Sequence, residues 1–175
     1  MRILVTAFEP YGGNDINISQ KVLDAIQADV TKLLLPVSFR RAPEVLNEAI
    51  DQFQPDVIIA MGQAAEGDKI RLERLAINMM DSTKGDNDGY IPDEEIICPE
   101  APLALKTALP VKQLCADCIN AGLPTMVSNS AGLYVCNRIY FEALRHTTNS
   151  LFVHIPQNMD LEIAKQVINS LIRDL

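Results

Sequence analysis

Short apolar runs alternate with helical patterns from one end of this chain to the other, and nothing else constrains its fold as strongly. Arg2–Ala7, Leu33–Val37 and Val57–Met61 read as buried strands, and Thr125–Ser128 and Leu151–His154 as two more. Ile18–Ile26, Pro43–Phe53 and Leu161–Leu175 place apolar residues at helical spacing, with Pro43 as a start signal and Asp160 as a cap. Such alternation predicts an α/β fold with a largely parallel sheet covered on both faces. Reacting groups in such folds gather at the carboxyl ends of the strands. The middle differs. Lys69–Ala76 alternates charged and apolar residues, which predicts a half-exposed strand. Residues 78–101 are polar and rich in turn formers, and are expected to form a long loop or hairpin inserted in a single domain spanning 1–175.

The 175 residues suffice for one domain with a substantial core. A net charge of −8 disfavours phosphate backbones and anionic lipid, so nucleic acid and membrane surfaces are not expected partners. No apolar run approaches the ~20 residues that span a bilayer, and a cytoplasmic location is expected. Four cysteines, Cys98, Cys115, Cys118 and Cys136, are then expected as free thiols. Cys115 and Cys118 form a C-x-x-C, but they share one face of an amphipathic stretch with Val111 and Leu114, which favours core packing over metal or redox chemistry. Asp86-Asn-Asp-Gly89 resembles part of a calcium loop, yet Lys84 stands where the first carboxylate would be needed, so calcium is excluded and an Asx turn is expected.

The most chemically suggestive stretch follows the strand Thr125–Ser128. A small turn, Asn129-Ser-Ala-Gly132, delivers Cys136 to the first turn of a helical pattern carrying Val135, Ile139, Tyr140 and Leu144. Aligned N–H groups and the positive end of the helix dipole favour a thiolate there. His154 ends a buried strand, on the side where α/β sites assemble; His146 lies in a helix tail. Glu73 sits in the alternating strand beside Arg74. A thiol, an imidazole to take and return its proton, and a carboxylate to orient the imidazole make up the parts of a thiol hydrolase. At the first strand's end, Phe8-Glu-Pro-Tyr11-Gly-Gly13 lacks both phosphate-loop spacings, and its two aromatics suit the wall of an apolar pocket.

Taken in order, these segments resemble the pyroglutamyl-peptidase I family of cytosolic cysteine peptidases. The likeness is carried by Val5-Thr-Ala-Phe8-Glu-Pro-Tyr-Gly-Gly13, by Met61-Gly-Gln63-Ala64 with Leu72-Glu73-Arg74-Leu-Ala76-Ile-Asn78, by Asp86-Asn87-Asp-Gly89, by Val127–Asn137 and by Phe152-Val-His154-Ile-Pro156. It implies a three-layer α/β/α sandwich around a mostly parallel mixed sheet. It also implies removal of an N-terminal pyroglutamyl (5-oxoprolyl) residue from peptides through a thioester, with no metal or other cofactor. Cys136 would be nucleophile, His154 general base and acid, and Glu73 the orienting carboxylate. Phe8 and Tyr11 would flank the lactam ring, Tyr134 and Val135 would complete the pocket, and Gln63 would offer backbone groups to the lactam amide. The resemblance further implies a homo-oligomer, a tetramer in many members. Two positions depart from the family pattern. Tyr11 replaces a usual phenylalanine, and Asp81-Ser-Thr-Lys84-Gly85 replaces a stretch whose usual arginine the resemblance places near the oxyanion, so that Thr83 would remove that charge stabilisation and Lys84 would enter or clash with the ring pocket. Two other readings stay open at this point: a non-catalytic protein binding a lactam or peptide end, and a redox or deglycase-like thiol protein.

Overall fold

The computed structural model describes all 175 residues, Met1–Leu175. Six strands form one sheet, in the order Thr31–Leu35 (β2), Ile3–Phe8 (β1), Val57–Ala64 (β3), Ser150–Pro156 (β8), Ile70–Glu73 (β4) and Thr125–Ser128 (β7). Its parallel half comprises β2, β1, β3 and β8. The other half is β4, antiparallel to β8, and β7, parallel to β4. Strand residues of one parity pack under α1 (Ile18–Ala25), α3 (Val111–Asn120) and α5 (Leu161–Asp174), in a core that includes Val5, Ile59, Leu72 and Val153. Those of the other parity pack under α2 (Arg41–Phe53) and α4 (Val135–His146), in a core that includes Leu4, Ile58, Ala60 and Phe152. Both faces are covered, so the strands read as continuous apolar runs and not as alternating ones. The result is the α/β/α sandwich with a mostly parallel mixed sheet.

Local chemistry explains the element boundaries. Asp160 caps α5 by accepting from Glu162 N at 2.9 Å and Ile163 N at 3.0 Å. Helix α2 begins two residues before Pro43, because Ser38 Oγ accepts from Arg41 N at 3.0 Å and starts the turn earlier. Pro43 still lies in the first turn, where its missing N–H leaves no helical bond unmade. Cys115 and Cys118 are buried on the inner face of α3, as packing residues.

The stretch expected as one half-exposed strand is instead two. Strand β4 stops at Glu73, and β5 (Leu75–Ile77) turns away to pair with β6 (Ala104–Lys106) in a separate two-stranded sheet. Strand β4 lies inside the main sheet between β8 and β7, so Glu73 is fully buried despite its charge. Alternation misled here because a buried carboxylate has the same period as a solvated one. Between β5 and β6 the chain carries only an isolated antiparallel bridge, Met80 with Glu95, and is organised by polar side chains. Asp86 accepts from Phe39 N, Asp88 N and Tyr90 N, and Asn87 Nδ2 donates to Glu9 Oε1 and Pro10 O. These bonds fasten the segment across the loops that follow β1 and β2.

Candidate active site

The site forms on the α2/α4 face, at the carboxyl ends of β1, β3 and β8. The turn after β7 leads to Tyr134, which has extended backbone and makes no side-chain cap to α4. Neither backbone nor side-chain oxygens of the protein accept from the N–H groups of Val135 or Cys136. These are the free donors expected at an uncapped helix start. Asn137, one residue on, fixes the helix in place. Its side chain accepts from Ile77 N at 2.8 Å and donates to Ile77 O at 2.8 Å and Met79 O at 3.1 Å.

The Cys136 sulfur comes to rest over Gly62 of β3. A Cβ at that position would lie 2.7 Å from Sγ and 2.8 Å from the Phe152 ring, so only glycine leaves room for the sulfur. Gly62 is the in-register neighbour of His154 on β8. Adjacent strands lie about 4.8 Å apart, and paired residues share a face, so the sulfur above Gly62 stands beside the imidazole. His154 is 6% exposed, and its Nδ1 lies 2.8 Å from Glu73 Oε1. With Nδ1–H donating to the carboxylate, the ring's Nε2 carries a lone pair free to take a proton. Three segments distant in the chain thus come together, which their residue types alone could not show.

Electrostatics correct one expectation. The helix start was expected to yield a thiolate. Instead, burial and then the Glu73 charge push the Cys136 thiol up to about 12, outweighing the lowering by its backbone N–H and by Arg71. The resting sulfur therefore holds its proton at neutral pH. A neighbouring base, not the helix dipole alone, must remove it.

The sulfur opens into a mainly apolar cavity of about 180 Å³. All eight residues singled out in the sequence bear on this place. Phe8, Tyr11, Gln63, Tyr134, Val135, Cys136 and His154 line it directly, and Glu73 lies behind His154. Tyr11 and Tyr134 face each other with ring centroids 6.3 Å apart, and Phe39 braces Tyr134 edge-on at 5.1 Å. Burial raises both tyrosine hydroxyls above their usual value, Tyr134 to about 12, so the walls stay uncharged. Gln63 uses its side chain to accept from Ile18 N at 3.0 Å, which ties this part of the wall to the start of α1. Thr83 and Lys84 are exposed and line no part of the cavity, so, contrary to expectation, Lys84 does not enter the ring pocket. A wider hollow beside Asn14 and Gln157 shares Gln63 but is lined by no cysteine, serine or histidine.

Three contributors were missed in the sequence. Val37 and Ala131 add apolar wall, and Asn17 adds a polar one. Asn17 also caps α1, accepting from Ser19 N at 3.0 Å, and its place just before a helical pattern was the available signal. Gly62 gave no signal as a support for the sulfur, since its role depends on how closely α4 approaches β3.

Known proteins resemble this chain along nearly its whole length. The family model described as pyroglutamyl peptidase matches residues 1–171. The chain belongs to the pyroglutamyl peptidase family. Among its relatives, the pyrrolidone-carboxylate peptidase of Thermococcus kodakarensis is 41% identical over 167 residues, covering 89% of this chain and 81% of that one. The enzyme of that name from Bacillus subtilis is 33% identical over 190 residues, covering 99% and 88%. The solved pyrrolidone carboxyl peptidase of Fervidobacterium islandicum superposes with a TM-score of 0.95 at 30% identity, covering 99% of this chain and 97% of that one. That of Pyrococcus furiosus gives 0.93 at 32% identity, with the same coverage.

Proposed function

We propose that this pyroglutamyl peptidase family member is a cysteine exopeptidase that removes N-terminal pyroglutamate from peptides, with Cys136, His154 and Glu73 as its catalytic residues. The observation that carries the reading is the Glu73–His154 contact at 2.8 Å, alongside a sulfur lodged over Gly62 at the wall of a small apolar cavity. A pyroglutamyl ring is compact and neutral and has no free amine. It suits an uncharged slot between Phe8, Tyr11 and Tyr134, with the Gln63 backbone aimed at its amide.

The chemistry follows from the protonation states. His154 Nε2 takes the Cys136 proton as the sulfur attacks the pyroglutamyl carbonyl, and Glu73 stabilises the imidazolium that forms. The tetrahedral oxyanion meets the free N–H groups of Val135 and Cys136; loss of one such donor typically costs about 2.7–4 kcal/mol. Nε2 returns the proton to the departing amine, which leaves a thioester. Water, deprotonated by His154, then attacks the thioester, releasing 5-oxoproline and restoring the thiol. No step requires a metal or cofactor. The proposal includes a cytoplasmic setting, which suits four unpaired cysteines, and assembly as a homo-oligomer, which light scattering reads directly. No helix is long and apolar enough to cross a membrane.

Purified protein incubated with a pyroglutamyl-coumarin reporter is expected to release the fluorophore. Cys136→Ser and prior treatment with iodoacetamide are each expected to abolish release. Absence of turnover, or turnover that survives both, would overturn the proposal.

A further inference from the structure

Glu73 is a carboxylate buried beyond reach of water, and its surroundings do not satisfy it. Oε1 meets His154 Nδ1, while Oε2 has no hydrogen-bond partner at all. A charge in that position is costly unless an opposite charge lies close. His154 cannot supply one at rest, because it must be neutral to act as a base. The nearest cation is Arg71, two residues earlier on β4 and therefore on the same face of the sheet. Its Nε lies 3.7 Å from Glu73 Oε1, and that Nε is itself buried without a hydrogen-bond partner. Arg71 is also the in-register partner of His154 across β4–β8.

We propose that Arg71 is a positioning residue for the reaction: its guanidinium neutralises Glu73 in the resting site and sets the pH range over which Glu73 and His154 work. The inference rests on the peptidase reading above. With Arg71 charged, the resting set of Arg71, Glu73, neutral His154 and Cys136 thiol sums to zero. Proton transfer from sulfur to imidazole keeps the sum at zero, so the buried group never carries a net charge. Without Arg71, the site would hold a lone negative charge through the whole cycle. Protonation of Glu73 or His154 would relieve it, and either event stops the base from working. The titratable groups around the pair are Glu73 and His154, with Cys136 and Tyr140 of α4; β7 presents Met126 and Ser128, which carry no charge. Lys69 and Arg74 flank β4 outside the buried cluster.

The test is the pH profile of kcat/KM on the pyroglutamyl-coumarin reporter for the natural protein, Arg71→Lys and Arg71→Met. Arg71→Met is expected to move the acid limb upward by about 0.5–1 pH unit, a 3- to 10-fold loss on that limb, with KM little changed; about a third of the side chain is exposed, which limits the effect. Arg71→Lys keeps the charge and is expected to leave the limb in place. An unmoved limb in Arg71→Met, or equal losses in both variants without a shift, would overturn the inference. The rate of Cys136 alkylation by iodoacetamide, followed against pH, is a second arm that needs no peptide substrate. Its profile is expected to move upward in Arg71→Met, and superimposable profiles would overturn the inference. A protein that fails to cleave the reporter but shows the alkylation shift would defeat the peptidase reading while leaving the Arg71 assignment standing. If Arg71→Met does not fold, Arg71→Gln takes its place in both arms.

Discussion

At the scale of single residues, the sulfur's protonation decides how the site works. On the proposed reading, a thiol raised to about 12 is inert until a base takes its proton, which assigns that task to the imidazole and its carboxylate. Glu73→Gln keeps the shape but removes the charge that holds Nδ1–H and stabilises the imidazolium. It is expected to lower kcat by about 10²- to 10⁴-fold with KM nearly unchanged, measured by steady-state kinetics on the coumarin reporter. The thiol also leaves a mark on stability. Its ordinary value is 9.0, so above that pH the unfolded chain sheds a proton that the folded protein keeps. This contribution to stability is complete below about pH 9 and is lost as pH rises toward about 12. Urea melts at several alkaline pH values are expected to show stability falling more steeply in the natural protein than in Cys136→Ala. The difference between the two should widen as pH rises above 9. Equal slopes would show that the sulfur is not held as a buried thiol. The residue types were legible in the sequence; the sign of the sulfur's shift was not, because a helix start argues for ionisation and only coordinates reveal the burial that outweighs it.

At the scale of elements, the site depends on how closely α4 approaches the sheet. The strand-turn-helix pattern around Cys136 was visible in the sequence, and so was the strand ending at His154. The pairing of Gly62 with His154 was not, since strand order is decided by contacts between distant segments. Gly62→Ala puts a methyl group where the sulfur sits, and α4 or Phe152 must yield. Its expected cost is about 1–3 kcal/mol of stability and about 10²-fold in kcat/KM from a displaced nucleophile, read by melting and by kinetics. An unaltered enzyme would mean that the sulfur does not rest on β3. The break between β4 and β5 shows the same limit from the other side. The alternation from Lys69 to Ala76 is real, but nothing in it reveals that the strand changes sheets at Arg74.

At the scale of the whole molecule, five helices on a six-stranded sheet hold three remote segments in one place, and the segment between β5 and β6 is tied across them. The layered fold was legible because apolar runs and helical stripes alternate so regularly. The docking of residues 78–101 was not, because it relies on polar side chains that meet only in the folded chain. Asp86 is the principal tie, and Tyr134 Oη donates to Gly85 O at 3.0 Å, linking the segment to the ring pocket. Asp86→Ala strands three backbone donors and is expected to cost about 1–3 kcal/mol, lowering Tm by several degrees. It is also expected to raise KM for pyroglutamyl substrates while largely sparing kcat. A lower kcat at unchanged KM would instead tie the segment to the chemical step. The most direct test of the central claim is rapid-quench mass spectrometry of the protein mixed with a pyroglutamyl peptide. The account predicts a transient mass gain of one pyroglutamyl group, located on the peptide bearing Cys136 and absent from Cys136→Ser. Product formed with no such adduct in single-turnover samples quenched across the reaction, or with the adduct on another residue, would contradict it.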